Sequence, residues 1–224
     1  MNVRILVSTV ADGSMKSTNG DFAEVIDNRR AFLGKHGLKP EDATLLHVVY
    51  EGDDYCRYVE TGEADRGDGI IRVPTIDSDA LLTRQPGQVL LLPVADCAPL
   101  VLFDETMGVL MLSHLGRHSA EQEGGRKSVE YFLAQSGTSP ASVKAWLGPA
   151  AGKDGYPLWA FDNRGLHEVI VEQLLATGLR RDQIEVSPAD TTTDSEYYSH
   201  SNFLKGLQGE VGDGRFAVAA VIEP

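Results

Sequence analysis

Short runs of apolar and β-branched residues alternate with polar positions along most of the chain. Such alternation, with a period of two residues, is typical of strands that bury one face. The pattern predicts ten strands, at residues 3–10, 43–50, 55–60, 78–83, 88–95, 99–104, 108–115, 142–150, 183–188 and 215–224.

Helical spacing of apolar residues occurs between the strands in three places. The residues concerned are Val25, Ile26, Phe32 and Leu33, then Val129, Phe132 and Leu133, and then Leu166, Val169, Ile170 and Leu174. Strands and helices interleave, and neither a Pro/Ser-rich linker nor a repeat interrupts them. We therefore expect a single α/β domain spanning residues 1–224.

The charge balance narrows the choice of partners. With 33 acidic and 20 basic residues the net charge is −13, which makes nucleic acid and anionic membranes poor partners and favours a small molecule. No apolar run approaches the roughly 18 residues that span a bilayer. The first residues are typical of a strand and not of a signal peptide, so we expect a cytoplasmic protein whose two cysteines, Cys56 and Cys97, are free thiols.

Residues 94–120 hold one of these cysteines and two histidines around two apolar runs. A tight turn between the runs predicts an antiparallel hairpin in which Asp104 pairs with Met107 and Cys97 lies opposite His114, with Cβ atoms about 5 Å apart. Such a pair is suited to binding one metal ion. It is also suited to a Cys97 thiolate activated by His114 and oriented by Asp96. The third interpretation is simple packing of a core cysteine and a strand-end histidine.

Several ordered motifs then give a resemblance. Residues 79–87 (DALLTRQPG), 94–104 (VADCAPLVLFD), 113–119 (SHLGRHS) and 146–150 (WLGPA) are similar to DALVTxxPG, TADCxPVLLxD, AHAGWRG and IGPAI of the bacterial laccase-domain family. Residues 25–38, 197–201 and 212–222 resemble further motifs of that family. Its members are called polyphenol oxidases or purine nucleoside phosphorylases with adenosine deaminase activity. The resemblance implies a sandwich of two mixed sheets flanked by helices, in α/β/β/α layers.

The family binds zinc through two histidines and a cysteine, and this resemblance places two of the ligands on Cys97 and His114. Tyr50 occupies the place of the remaining histidine. A phenol is a poorer zinc ligand than a neutral imidazole. His118 is an alternative third ligand, because a helix that starts near His114 would put both histidines on one face. Zinc is therefore expected at a weakened site, and copper less so, because six scattered histidines without an HxH pair do not make a multicopper centre.

Other departures change the set of arginines that could hold phosphate or ribose. Arg117 replaces a tryptophan of the family motif, and Ser201 and Asn202 replace a pair of arginines. The remaining candidates for substrate binding are Arg29, Arg117, Arg215 and His200.

The resemblance thus predicts a metal-dependent enzyme that acts on a purine nucleoside, by phosphorolysis or by deamination of adenosine. Cys97, His114 and Asp96 are the predicted catalytic residues. Three alternatives stay open: a homologue that has lost catalysis and keeps a binding role, a copper-type polyphenol oxidoreductase, and a Cys/His hydrolase like those built on a similar fold in some bacterial toxins.

Overall fold

The computed structural model describes residues 2–16 and 22–224, which contain ten strands and five α-helices. The strands are Val3–Val7 (β1), Ala43–Leu45 (β2), Tyr58–Thr61 (β3), Ala80–Thr83 (β4), Val89–Val94 (β5), Ala98–Asp104 (β6), Val109–Leu115 (β7), Lys144–Leu147 (β8), Ile184–Val186 (β9) and Phe216–Ile222 (β10). The helices are Phe22–Lys35 (α1), Arg117–Glu121 (α2), Gly124–Ser136 (α3), Leu166–Leu175 (α4) and His200–Leu204 (α5).

The strands form two mixed sheets. One has four strands in the order β1-β10-β5-β2, and the other has six in the order β3-β4-β7-β6-β8-β9. In each sheet most neighbours are antiparallel, and the pairs β2–β5, β3–β4 and β8–β9 are parallel. Each predicted strand corresponds to one of these ten.

Alternate side chains along one strand enter different layers, because successive residues of a strand point to opposite faces. In β6, Val101 packs in the cluster between the two sheets, whereas Leu100 and Leu102 pack in the cluster that contains Phe132 of α3 and Ile170 of α4. A third cluster joins α1 to the outer face of the four-stranded sheet. The layers are therefore α/β/β/α, which confirms the predicted fold class.

The hairpin of β6 and β7 differs from its predicted register by two residues. Asp104 pairs with Val109, and Pro99 pairs with His114. The connection has four residues because the Asp104 carboxylate accepts hydrogen bonds from the backbone N–H groups of Thr106 and Met107, a local turn that competes with the tighter one. Cys97 consequently precedes β6 and lies diagonal to His114, and a slip of two residues keeps both on the same face.

The helix expected near His114 begins three residues later. His114 belongs to β7, and α2 starts at Arg117 after Gly116. The two histidines 114 and 118 therefore do not share a helical face, so the geometric basis of that prediction was wrong. None of the helices in the described residues is long and apolar enough to cross a membrane.

Candidate functional site

A cavity of about 590 Å³ lies where β6 begins and β7 ends. We call it the Cys97 pocket. Loops and strand ends from both sheets contribute to its wall, since β10 and β5 belong to one sheet and β7 to the other. Its chemically distinctive lining residues are Tyr50, Tyr55, Asp96, Cys97, His114, Arg117, His118, Tyr156, His200, Lys205 and Arg215.

Cys97 and His114 form the floor of the pocket. His114 is 7% exposed, and burial lowers its pKa to about 4, so the imidazole is neutral at pH 7. Burial, together with the neighbouring Asp96 carboxylate, raises the pKa of Cys97 to about 12, so the thiol stays protonated. A Cβ atom on Gly116 would lie 2.8 Å from Cys97 Sγ and 3.5 Å from His114 Cε1, which places both side chains against this glycine.

Asp96 supports the pocket through a left-handed backbone conformation with φ of 71°. One carboxylate oxygen accepts a hydrogen bond from the Thr191 hydroxyl at 2.7 Å, and the other accepts one from the Ser201 backbone N–H at 2.7 Å. Asp96 therefore anchors the start of α5. These contacts do not orient the His114 ring, and in this respect the structure differs from the catalytic role expected of Asp96.

The donor set of the pocket does not fit the zinc site implied by the resemblance. Among the described residues there is no group of three or more His, Cys, Asp or Glu side chains arranged to hold a metal ion. Tyr50 lies edge-on to His114 with ring centroids 6.2 Å apart. Tyr50 is 62% exposed, and a phenol with an ordinary pKa of about 10 keeps its proton at pH 7, so it is a weak metal donor. We therefore derive no step through a metal.

His118 lies at the pocket mouth and belongs to no such group of donors. Its ring stacks on Tyr55 with centroids 4.8 Å apart and an interplanar angle of 21°. The Gln122 side chain fixes the Tyr55 loop by accepting from the Tyr55 N–H at 3.0 Å and donating to the Asp53 carbonyl. The stack is a flat aromatic surface beside the buried floor.

The predicted arginines divide into two groups. Arg29 is only 1% exposed and donates hydrogen bonds to the carbonyl groups of Gly69 and Met15, at 3.0 and 2.7 Å. It does not line the pocket, so its assignment to substrate binding was wrong: its motif places it on the buried face of α1. Arg117 and Arg215 do line the pocket.

Three of the eleven distinctive lining residues were not predicted from the sequence: Lys205, Tyr55 and Tyr156. Lys205 donates a hydrogen bond to the Gly155 carbonyl at 2.8 Å. Its position shortly after the YYSHS stretch, on a glycine-rich segment, was the available signal. His200, in the same stretch, was predicted to lie in the pocket and does line it.

Two packed mixed sheets, with a cavity at their edge that is lined by a thiol, an imidazole and several cations, define this molecule as a two-sheet α/β protein. Residues 10–163 match the family model described as "multi-copper polyphenol oxidoreductase laccase". The chain belongs to this laccase-domain family.

Curated relatives share its sequence over much of its length. Purine nucleoside phosphorylase Cgl2154/cg2365 of Corynebacterium glutamicum is 31% identical over 69% of this chain and 63% of its own length. Purine nucleoside phosphorylase YlmD of Bacillus subtilis is 25% identical over 80% of this chain and 72% of its own length.

Solved structures show the same fold. The hypothetical protein YfiH of Bacillus licheniformis superimposes with a TM-score of 0.82 at 21% identity, covering 99% of this chain and 93% of that one. YlmD of Geobacillus stearothermophilus gives 0.79 at 22% identity, covering 94% and 85%.

Proposed function

We propose that the Cys97 pocket binds a purine nucleoside together with phosphate and catalyses phosphorolysis of the glycosidic bond. The names of the curated relatives support this reaction class. The cavity of about 590 Å³ is in the size range of small-molecule sites. The aromatic rings of Tyr50, Tyr55 and Tyr156 offer faces and edges for a purine base.

The observation that carries the proposal is the concentration of cations. In a chain with a net charge of −13, Arg117, Lys205 and Arg215 all line this one cavity. The acid beside them, Asp96, has both carboxylate oxygens engaged by Thr191 and Ser201. Although Arg215 is also paired with Asp213 behind it, three cations and one carboxylate line the cavity, and this excess of positive charge favours an anion such as phosphate.

In this reaction a phosphate oxygen forms a bond to C1′ of the sugar while the C1′–N9 bond breaks. The purine leaves with the electron pair of that bond and takes up a proton, which in the overall balance is the one that the phosphate P–OH gives up as ribose 1-phosphate forms. Arg117 and Arg215 would hold the phosphate and offset its charge as the bond forms. The neutral His114 and the protonated Cys97 supply an uncharged floor, and the Tyr55–His118 stack supplies a surface for the base.

Zinc has only two strong donors here, Cys97 and His114, so the proposal assigns it no step. Deamination of adenosine needs an activated water molecule, and the described residues offer no metal group for that purpose. The high pKa of the Cys97 thiol argues against the Cys/His hydrolase. Scattered histidines argue against copper oxidation of phenols.

A second candidate is a nucleoside-binding protein that has lost catalysis. The specific observation in its favour is Tyr50, a weak donor where the resemblance implies a histidine ligand. Binding would use the same aromatic and cationic side chains, so binding alone does not separate the two candidates, and turnover does.

The test is release of free base from inosine, adenosine and guanosine by the whole chain, with and without phosphate, followed by liquid chromatography. Phosphorolysis predicts base release only with phosphate, with ribose 1-phosphate formed in equal amount. Arg117→Ala should reduce it, whereas Arg180→Ala, which removes an exposed arginine paired with Asp182, should not. Nucleoside binding without base release would support the second candidate. Release of base at the same rate with and without phosphate would refute phosphorolysis.

A further inference from the structure

One carboxylate oxygen holds two pocket residues side by side. Asp213 Oδ1 accepts a hydrogen bond from Arg215 Nη1 at 2.8 Å and is 2.9 Å from His200 Nδ1. Its other oxygen, Oδ2, forms an ion pair with Lys16. Arg215 and His200 line the Cys97 pocket, whereas Asp213 and Lys16 stand behind them. Asp213 is thus the common support of a cation and an imidazole.

These contacts fix the charge of Asp213. Partial burial alone would raise its pKa, but the hydrogen bonds from Lys16, Arg215 and His200 hold the pKa well below the ordinary value. An ionised carboxylate accepts hydrogen bonds and donates none. The proton on the His200 ring must therefore be on Nδ1, where it is donated to Asp213.

The other ring nitrogen then has a defined role. In the neutral ring, Nε2 carries a lone pair and is a hydrogen-bond acceptor. Within the described residues Nε2 makes no hydrogen bond, and the ring packs against Phe203 with centroids 6.3 Å apart. The charged groups around the ring are Lys16, Asp213 and Arg215, with Lys205 in the same cavity.

We propose that the Asp213–His200 pair, with Arg215, forms an oxyanion subsite that selects phosphate over sulfate. Arg215 supplies the charge that both anions require. His200 Nε2 supplies an acceptor, which matches the P–OH hydrogen that phosphate retains near neutral pH. Sulfate has no such hydrogen, so its oxygen would face the lone pair of Nε2. Asp213 is the positioning residue, since it fixes both the guanidinium and the tautomer.

This inference deepens the proposed function and rests on it for the choice of phosphate as the physiological anion. The anion preference itself is measured without any nucleoside. Isothermal titration calorimetry of the whole chain at pH 7.5, with sodium phosphate and with sodium sulfate, gives the two dissociation constants. We expect phosphate to bind about tenfold more tightly than sulfate, the effect of one hydrogen bond to a charged partner.

Asp213→Asn changes the preference in a way that a purely structural role would not. An asparagine is uncharged and has one acceptor oxygen for the three groups that Asp213 contacts, so it no longer holds the ring proton on Nδ1 or the Arg215 guanidinium in place. We expect the preference for phosphate to disappear in Asp213→Asn and to be kept in Asp213→Glu, which retains the carboxylate. His200→Ala should abolish the preference and leave the contact between Arg215 and Asp213 in place.

The matched control is Asp182→Asn, because Asp182 pairs with Arg180 at an exposed position. It should leave both dissociation constants unchanged, and thermal unfolding of every variant checks that it is folded. Equal affinity for both anions in the wild type, or an unchanged preference in both Asp213→Asn and His200→Ala, would overturn the inference. Selective phosphate binding without release of a purine base would keep it and reject phosphorolysis. Phosphorolysis without a preference for phosphate over sulfate would keep the proposed function and reject this inference.

Discussion

Replacing Tyr50 with histidine should create a zinc site in the Cys97 pocket. The pocket already contains a thiol and a neutral imidazole, Cys97 and His114, which are good zinc donors, and zinc sites that keep an open position usually hold three protein ligands. The wild-type chain supplies a phenol at the third position. A second imidazole at residue 50 would complete the set, so the Tyr50→His variant should bind zinc and the wild type should bind it weakly.

The size of the effect follows from the geometry. With Zn–N bonds of about 2.0 Å and tetrahedral angles, two imidazoles on one zinc ion have ring centroids about 5 Å apart. The centroids of Tyr50 and His114 are 6.2 Å apart, so a side-chain movement of about 1 Å would bring an imidazole at residue 50 to the distance that a shared zinc ion requires. Loss of one residue that only supports a metal ligand through a hydrogen bond costs about 10–100-fold in metal affinity. A complete ligand should therefore gain about 100-fold or more, which equals about 2.7 kcal/mol.

The assay is competition for zinc with a chromogenic chelator at pH 7.5, supported by the metal content of the purified protein. Tyr50→Phe is the matched control, because it removes the hydroxyl and adds no donor. The gain should vanish when Cys97→Ala is combined with Tyr50→His. If Tyr50→His binds zinc no more tightly than Tyr50→Phe, residue 50 is not positioned as the third ligand, and the geometric argument fails.

Three further predictions concern the floor of the pocket. Asp96→Ala should lower the free energy of unfolding by about 2–4 kcal/mol, because two buried donors lose their acceptor; a loss below about 0.5 kcal/mol in urea denaturation would contradict this. Gly116→Ala should lower the melting temperature, because its Cβ would lie 2.8 Å from Cys97 Sγ. Adding Cys97→Ala should recover most of this loss. If the changes in melting temperature of the two single variants simply add in the double variant, the contact is refuted. The pKa of His114 is about 4 against an ordinary 6.5, so the unfolded chain binds more protons between these values. Stability should therefore fall by up to about 3 kcal/mol as pH drops through this window, and less in His114→Gln. Equal pH slopes would count against a buried neutral imidazole.

The strands could be predicted because the alternation of apolar and polar residues, with a period of two, is visible in the local sequence. Each of the ten predicted strands was found. Their ends were less predictable. The run from 43 to 50 stops as a strand at Leu45, and beyond it His47 forms only an isolated bridge with Asp77, whose carboxylate is 2.8 Å from its ring. The helices α2 and α5 have five residues each, too few for a periodic pattern to show.

The pair at the centre of the pocket could be predicted because Cys97 and His114 belong to one hairpin. A register error of two residues did no harm, since two residues restore the same face of the sheet. By contrast, the role of Asp213 depends on contacts with Lys16 and His200 from distant parts of the chain. No local pattern encodes such contacts. The same reason explains why Arg29, which has the right charge, was placed in a pocket that its side chain does not reach.

The proposed roles of the pocket divide between two parts of its wall, and they respond to different changes. Metal binding depends on Cys97 and His114 at the floor and on the more exposed Tyr50 beside them, whereas anion binding depends on Arg215 and His200. Asp96 links the two parts, because it precedes Cys97 in the chain and holds the backbone next to His200 through the Ser201 N–H. A change at residue 50 should therefore alter metal affinity and leave the phosphate preference intact. A change at Asp96 should disturb both.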